Sequence, residues 1–393
     1  MAYQGKVISG DCHIDIPWLP ADLFTSNSPA HLRDRMPRVV ETSDGKQWFT
    51  EDSLLGWVAG AGLGLRPGGW DPYVPGASRR LDTMEERTSF YSDGQKGLMH
   101  PTTPELRIKD QDTDGVQLEV IDPSLCFSIF PIQDPRIVAA VFERYNDWLW
   151  DYCSYAPDRL MGLALIPLHD VELGMKEFER AVKKGYRGVC IPCTAPEERP
   201  YSDPAYEKFW AAAQEAGTPV TMHIFTSAAP GMGLPPSWGP IHSYALALAA
   251  GALTVGTLIC SGVAHRYPEL KFVATEWETG WVAHWLDRLD HATYRSRSAA
   301  APELDMAPSD YFRRQFYVTF EDDEIGIMTA EQIGVDNMLW GSDFPHHDSI
   351  WPNSQKVLAE IFQRVPEDRR AEYRRKMTVD NVTQLYGLGD LLR

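Results

Sequence analysis

In Asp11-Cys12-His13-Ile14-Asp15, three polar residues alternate with two apolar ones. On a β-strand that spacing turns Asp11, His13 and Asp15 to one face and Cys12 and Ile14 to the other. Three ligand-type side chains converging at one strand end are expensive to bury unless a cation lies between them, and a divalent metal fits. A second such place is the stretch 337–347, where the apolar run Asn337-Met-Leu-Trp340 gives way to Gly341-Ser-Asp343-Phe-Pro-His346-His347. A carboxylate and imidazoles would then sit at the C-terminal mouth of a buried strand, where an α/β enzyme keeps its chemistry. Further strand-like runs end on His223, on Glu276 and, after Phe320, on Glu321-Asp322-Asp323. A single histidine at a strand end is more often structural. The recurrence of ligand types at successive strand ends argues for a shared polar site.

The elements that must position these residues alternate. Strands are expected at 6–13, 116–122, 160–168, 186–193, 219–223, 270–276, 315–320 and 337–342. Helices are expected at 134–155 with Pro135 in the first turn, at 171–184 between an Asp170 cap and a Gly185 stop, and at 204–216 between Asp203 and Gly217. Eight strands joined by helical crossovers predict an α/β protein, a closed (β/α)8 TIM barrel, in a single domain over 1–393. A doubly wound open sheet is the competitor. It lacks the Gly-x-Gly-x-x-Gly that should follow its first strand, where this chain has Asp11 to Asp15. Residues 17–109, rich in Gly, Pro, Ser and charge and carrying Trp18, Trp48, Trp57 and Trp70, read as a long insertion after the first strand, a lid or a dimerisation arm.

The formal net charge of −18 would repel phosphate backbones, and no basic stripe offsets it, so nucleic acid is excluded as a partner. The N-terminal residues lack the charged and apolar regions of a signal peptide, which makes the cytoplasm the default location. Cys190-Ile-Pro-Cys193 is the only close cysteine pair among six, and without a second pair it reads as buried strand residues. The stretch 243–264 has no charged residue. Its Ala, Gly and Thr content points to a buried helix at a subunit interface of a homodimer, not to a membrane span. His100, His169, His265, His284 and His291 fall outside the strand mouths and are assigned structural roles.

Taken with His223, Ser261-Gly-Val, Tyr267-Pro-Glu-Leu-Lys-Phe-Val-Ala-Thr-Glu276, Gly280-Trp281 and Asn381-Val-Thr-Gln-Leu-Tyr-Gly387, the pattern Asp11-x-His13-x-Asp15 and Trp340-Gly-Ser-Asp-Phe-Pro-His346 resembles the amidohydrolase superfamily. It is most similar to the branch that includes aminocarboxymuconate semialdehyde and resorcylate-type decarboxylases. The resemblance implies a metal at the barrel mouth held by His13, the position of Asp15, His223 and Asp343. Two positions depart from that pattern, since Asp15 stands where a second histidine is usual and Glu276 where many members have a histidine. With Asp11 and Glu276 added, the expected ligand set is Asp11, His13, Asp15, His223, Glu276 and Asp343. More carboxylates shift the expected ion from Zn toward Mn or Fe, with one ion per chain slightly ahead of two.

Two reactions fit such a centre. In the one placed first, a hydrolase acting on an ester, thioester, lactone or amide, the metal activates water, Asp343 moves its proton, and His346 or His242 stabilises the oxyanion. In the alternative, a nonoxidative decarboxylase of an aromatic or unsaturated acid, the metal chelates the carboxylate and a neighbouring hydroxyl while Asp343 protonates the ring carbon. Arg66, Arg79 and Arg80 of the insertion are candidates to receive the carboxylate. A barrel without activity, serving as a binding subunit, is the third reading.

Overall fold

The computed structural model describes residues 5, 7–26, 28–51, 53–60, 93–94, 96–125, 129, 132–226, 245–296, 304–346 and 349–391. His242, His347, Trp70, Arg66, Arg79 and Arg80 lie outside them. The chain divides into two compact units, one made of Lys6–Tyr186 with Ser342–Val357, the other of Met1–Gly5, Arg187–Gly341 and Leu358–Arg393.

In the first unit, β1 (Val7–Cys12) is buried along its whole length, Ser9 and Asp11 included. Three more strands, β2 (Arg38–Thr42), β3 (Gly45–Thr50) and β4 (Ser53–Trp57), form an antiparallel meander inside the stretch expected to be irregular. The missed signal is Ser43-Asp44-Gly45, turn residues between the apolar pairs Val39-Val40 and Trp48-Phe49, with Gly45 at φ +101°. Trp48 of β3 is fully buried and packs edge-on against Phe24 at 5.7 Å, which gives the meander its core. Helix α1 (Pro104–Asp114) follows, then β5 (Val116–Ile121), which pairs in parallel with β1 and with β6 (Leu160–Gly162). The third expected strand is completed by β7 (Ala164–Leu165).

Helix α2 (Pro135–Cys153) starts where Asp134 accepts a hydrogen bond from the Arg136 N–H. Helix α3 (Val171–Lys184) starts where Asp170 accepts from Leu173 N–H, and it ends at Gly185 with φ +111°. A Cβ on Gly185 would lie 2.8 Å from the Trp150 ring, so both backbone and packing require glycine there. Buried Asn146 of α2 joins the layers: it donates to Leu165 O and Glu177 Oε1, and accepts from Leu165 N–H.

The second unit holds five parallel strands in sequence order: β8 (Val189–Pro192), β9 (Val220–His223), β10 (Phe272–Thr275), β11 (Phe316–Phe320) and β12 (Met338–Trp340). Phe272 and Phe316 sit in register and stack at 4.9 Å, and Trp210 packs edge-on against Phe272. A slip of one residue would turn these rings out of the core, so their burial fixes where each strand ends. The uncharged stretch forms α4 (Leu248–Cys260), and Cys190 and Cys193 are buried at the end of β8. Among the described residues, no helix is long and apolar enough to cross a membrane.

Candidate metal centre

The first cluster is built where β1 ends. The strand stops at Cys12, three residues short of Asp15, and the segment after β12 runs alongside it. His13 N–H donates to Phe344 O at 2.8 Å, Asp343 N–H to Asp11 O at 3.1 Å, and Asp122 N–H to Cys12 O at 2.7 Å. Ser342 N–H donates to Ser9 Oγ at 2.8 Å, which fixes the same alignment from one step deeper.

These bonds set the chemistry of His13. Its Nδ1 lies 2.9 Å from Asp122 O, and a carbonyl can only accept, so the Nδ1 proton is committed there. Nε2 then presents its lone pair to Asp11 Oδ1 at 3.1 Å and Asp343 Oδ1 at 2.9 Å. Such an arrangement is repulsive unless a proton or a cation sits among the three atoms. The proton affinity of His13 responds accordingly: burial lowers it, but the charge of Asp11, and then Asp343, holds it well above the ordinary value.

His346 differs. Its Nδ1 is 2.7 Å from Asp343 Oδ1 and its Nε2 is 2.9 Å from Asp15 Oδ2, so both nitrogens face carboxylates and the ring is an imidazolium. Burial works against that charge, yet Asp343, with Asp15, pushes its pKa up to about 10. Asp343 mirrors it: against the effect of burial, His346 and then His13 hold its carboxyl below the usual range. The two imidazoles stack at 4.2 Å, 7° from parallel. Asp15, expected beside His13 as a ligand, also accepts a hydrogen bond from Ser124 Oγ and thus serves as an anchor for His346.

The second cluster repeats the first histidine's pattern. β9 ends on His223, opposite Thr275 of β10, and Glu276 follows at once. His223 Nδ1 donates to Ile224 O at 2.7 Å, leaving Nε2 directed at Glu276 Oε2, 2.8 Å away. Glu276 adopts φ +64° and its N–H donates to Thr319 Oγ1 at 2.7 Å; Asp343 in the first cluster has φ +53°. Left-handed backbone at non-glycine residues costs about 1–3 kcal/mol each, and it gathers at functional sites. Asp323, the last of the acidic run after β11, does different work from the one its position suggested. Asp323 accepts from the N–H groups of Thr279, Gly280 and Gly326, a cap that joins two loops.

Imidazole nitrogens locked by carbonyls and aimed at carboxylate oxygens are the donor set of a divalent cation. The residues present therefore fit a metal. His100 and His265, by contrast, are tied to Asp110 and to Tyr311, in line with structural roles. The orienting partners Asp122, Ser124 and Thr319 had no signal in the sequence, since each acts through a backbone atom or from a segment distant in the chain.

The family model described as amidohydrolase matches residues 99–388. The chain belongs to the amidohydrolase family. Among curated relatives of this amidohydrolase, the gamma-resorcylate decarboxylase of Rhizobium sp. (strain MTP-10005) is 24% identical over 296 residues, 70% of this chain and 89% of the relative. A solved amidohydrolase from Mycobacterium avium subsp. paratuberculosis K-10 superposes with a TM-score of 0.76 at 21% identity, covering 98% of this chain and 99% of its own. A dihydroxybenzoic acid decarboxylase from Polaromonas sp. JS666, solved with bound manganese and the inhibitor 2-nitroresorcinol, gives a TM-score of 0.61 at 22% identity, with 79% and 95% covered. These likenesses show the α/β fold of TIM-barrel type that the strand count predicted, and an enzyme of the amidohydrolase superfamily.

Proposed function

We propose that this amidohydrolase is a metal-dependent nonoxidative decarboxylase of an aromatic acid that carries a hydroxyl beside its carboxylate. The observation that carries this reading is Asp343 held between Nε2 of His13 and the imidazolium of His346. Decarboxylation replaces one ring substituent by a proton: the bond from ring carbon to carboxylate breaks, CO2 leaves, and a proton takes its place on carbon. The imidazolium of His346, anchored by Asp15, is placed to supply that proton by way of the Asp343 carboxylate, which its Nδ1 faces at 2.7 Å. The hydrolase reading draws on the same residues, and the names of the relatives turn the balance toward its alternative.

Divalent manganese is the proposed ion, as in the Polaromonas relative. When bound, it would hold the substrate's carboxylate and hydroxyl and draw electron density from the ring. His13, Asp11 and Asp343 are its proposed donors in the first cluster, and His223 with Glu276 are the donors proposed in the second. Asp15 leaves the ligand set for its role at His346.

The test is a panel of 2-hydroxybenzoates and related aryl acids, run with manganese-loaded protein in D2O beside esters, thioesters and lactones. CO2 release with one deuterium at the vacated carbon is expected. Turnover of an ester, thioester or lactone without CO2 would restore the hydrolase reading. Less than a tenth of an equivalent of metal in fresh, unchelated protein, with no turnover, would leave a binding subunit.

A further inference from the structure

Behind the first cluster lies a fully buried ion pair. Arg107 of α1 donates through Nε to Glu119 Oε2 of β5 at 2.6 Å, and neither side chain reaches solvent. A pair so placed is a poor stabiliser, because removing two charges from water consumes most of what their attraction returns, and apolar residues of similar volume often do as well. Its other contacts suggest a different use. Arg107 Nη1 donates to His13 O at 2.9 Å and, at 3.4 Å, to Pro101 O. The same guanidinium lies over the Phe344 ring, 5.1 Å from its centroid.

His13 and Phe344 are themselves joined by the hydrogen bond from His13 N–H to Phe344 O, and Phe344 follows Asp343 directly. Glu119 holds the planar fork in one orientation, and the fork holds the backbone of one donor and the neighbour of the other. Lysine could keep the charge pair with Glu119, but a single ammonium cannot also offer a flat face to Phe344 while reaching a carbonyl from fixed geometry.

We propose that Arg107 is a positioning residue for the divalent cation, clamping the His13 carbonyl and the Phe344 ring so that His13 Nε2 and Asp343 Oδ1 stay 2.9 Å apart. The proposal rests on the reading that this cluster binds a metal, and it holds for hydrolysis and decarboxylation alike.

Manganese binding to the full chain, read by the EPR signal of free Mn2+, tests it without reference to turnover. Arg107→Lys should fold and bind Mn2+ about 10–100-fold more weakly, the usual effect of removing an orienting partner. The paired change Arg107→Met with Glu119→Leu removes both charges together; it should keep a Tm near that of the unaltered protein and show the same weakening. Gly185→Ala, which meets Trp150 on the far helix, should lower Tm and leave Mn2+ affinity unchanged. Unaltered affinity in Arg107→Lys overturns the positioning role while leaving the metal reading intact. An equal loss of affinity in Gly185→Ala would show that any destabilisation weakens the site, and would also overturn it. Failure of the unaltered protein to bind Mn2+ overturns the metal reading itself, and the proposal with it.

Discussion

Asp343 and Glu276 are left-handed residues with side chains committed to the two clusters, so their strain and their chemistry can be separated. Replacing Glu276 by Gly removes the Cβ that makes φ +64° unfavourable and should leave the fold as stable or more stable by about 1 kcal/mol. It should at the same time lower manganese occupancy. A fall in Tm together with unaltered occupancy would refute that reading of Glu276. Asp343→Asn keeps shape and removes charge; turnover should drop by about 10²–10⁴-fold, the usual worth of a proton-transfer group, with an unchanged circular dichroism spectrum. Full activity would remove Asp343 from the site. His223→Ala should reduce bound metal, measured by elemental analysis of the purified protein. These three residues were legible from their types at strand ends. The state of His346 was not, because its second proton depends on Asp15 and Asp343 facing its two nitrogens.

At the scale of elements, the join between α1 and the helix beginning at Ser354 gives a pH dependence away from the site. Asp114, the last residue of α1, accepts from both Ser354 N–H and Ser354 Oγ, and burial raises its carboxyl to about 7 against those bonds. In the unfolded chain it ionises near the ordinary aspartate value of about 3.9. A folded-state pKa above the unfolded one means that its stabilising contribution is complete below about pH 4 and is lost as pH rises through about 7. Asp114→Asn can keep both contacts without a titrating group. The Tm difference between variant and unaltered protein should therefore move in the variant's favour from about pH 4 to pH 8. A difference constant across that range would show that Asp114 does not titrate there. Caps of this kind were readable where the side chain serves its own helix, as Asp170 does. They were unreadable where Asp114 serves another segment, or where Asp323 accepts from Thr279 and Gly280 as well as from its own Gly326.

For the molecule as a whole, metal should act as a stabilising ligand. Chelation should lower Tm, and adding Mn2+ at about a hundred times its Kd should restore about 2.7 kcal/mol of stability by mass action. A Tm indifferent to chelator and to Mn2+ would contradict a metal held by the folded chain alone. The sequence by itself determined the fold class, the eight strands and the residue types at their ends. Those follow from apolar periodicity and from glycine, proline and aspartate punctuation, which are local properties. It did not reveal the antiparallel meander at 38–57, whose turn at Gly45 lies in a stretch of glycine, proline and charge and whose core is one tryptophan against Phe24. Only the tertiary structure decided which nitrogen of His13 and of His223 is committed to a carbonyl, that Asp15 anchors His346, and that Arg107 grips the backbone behind His13. Each depends on atoms from segments far apart in the chain, where no local pattern records who faces whom.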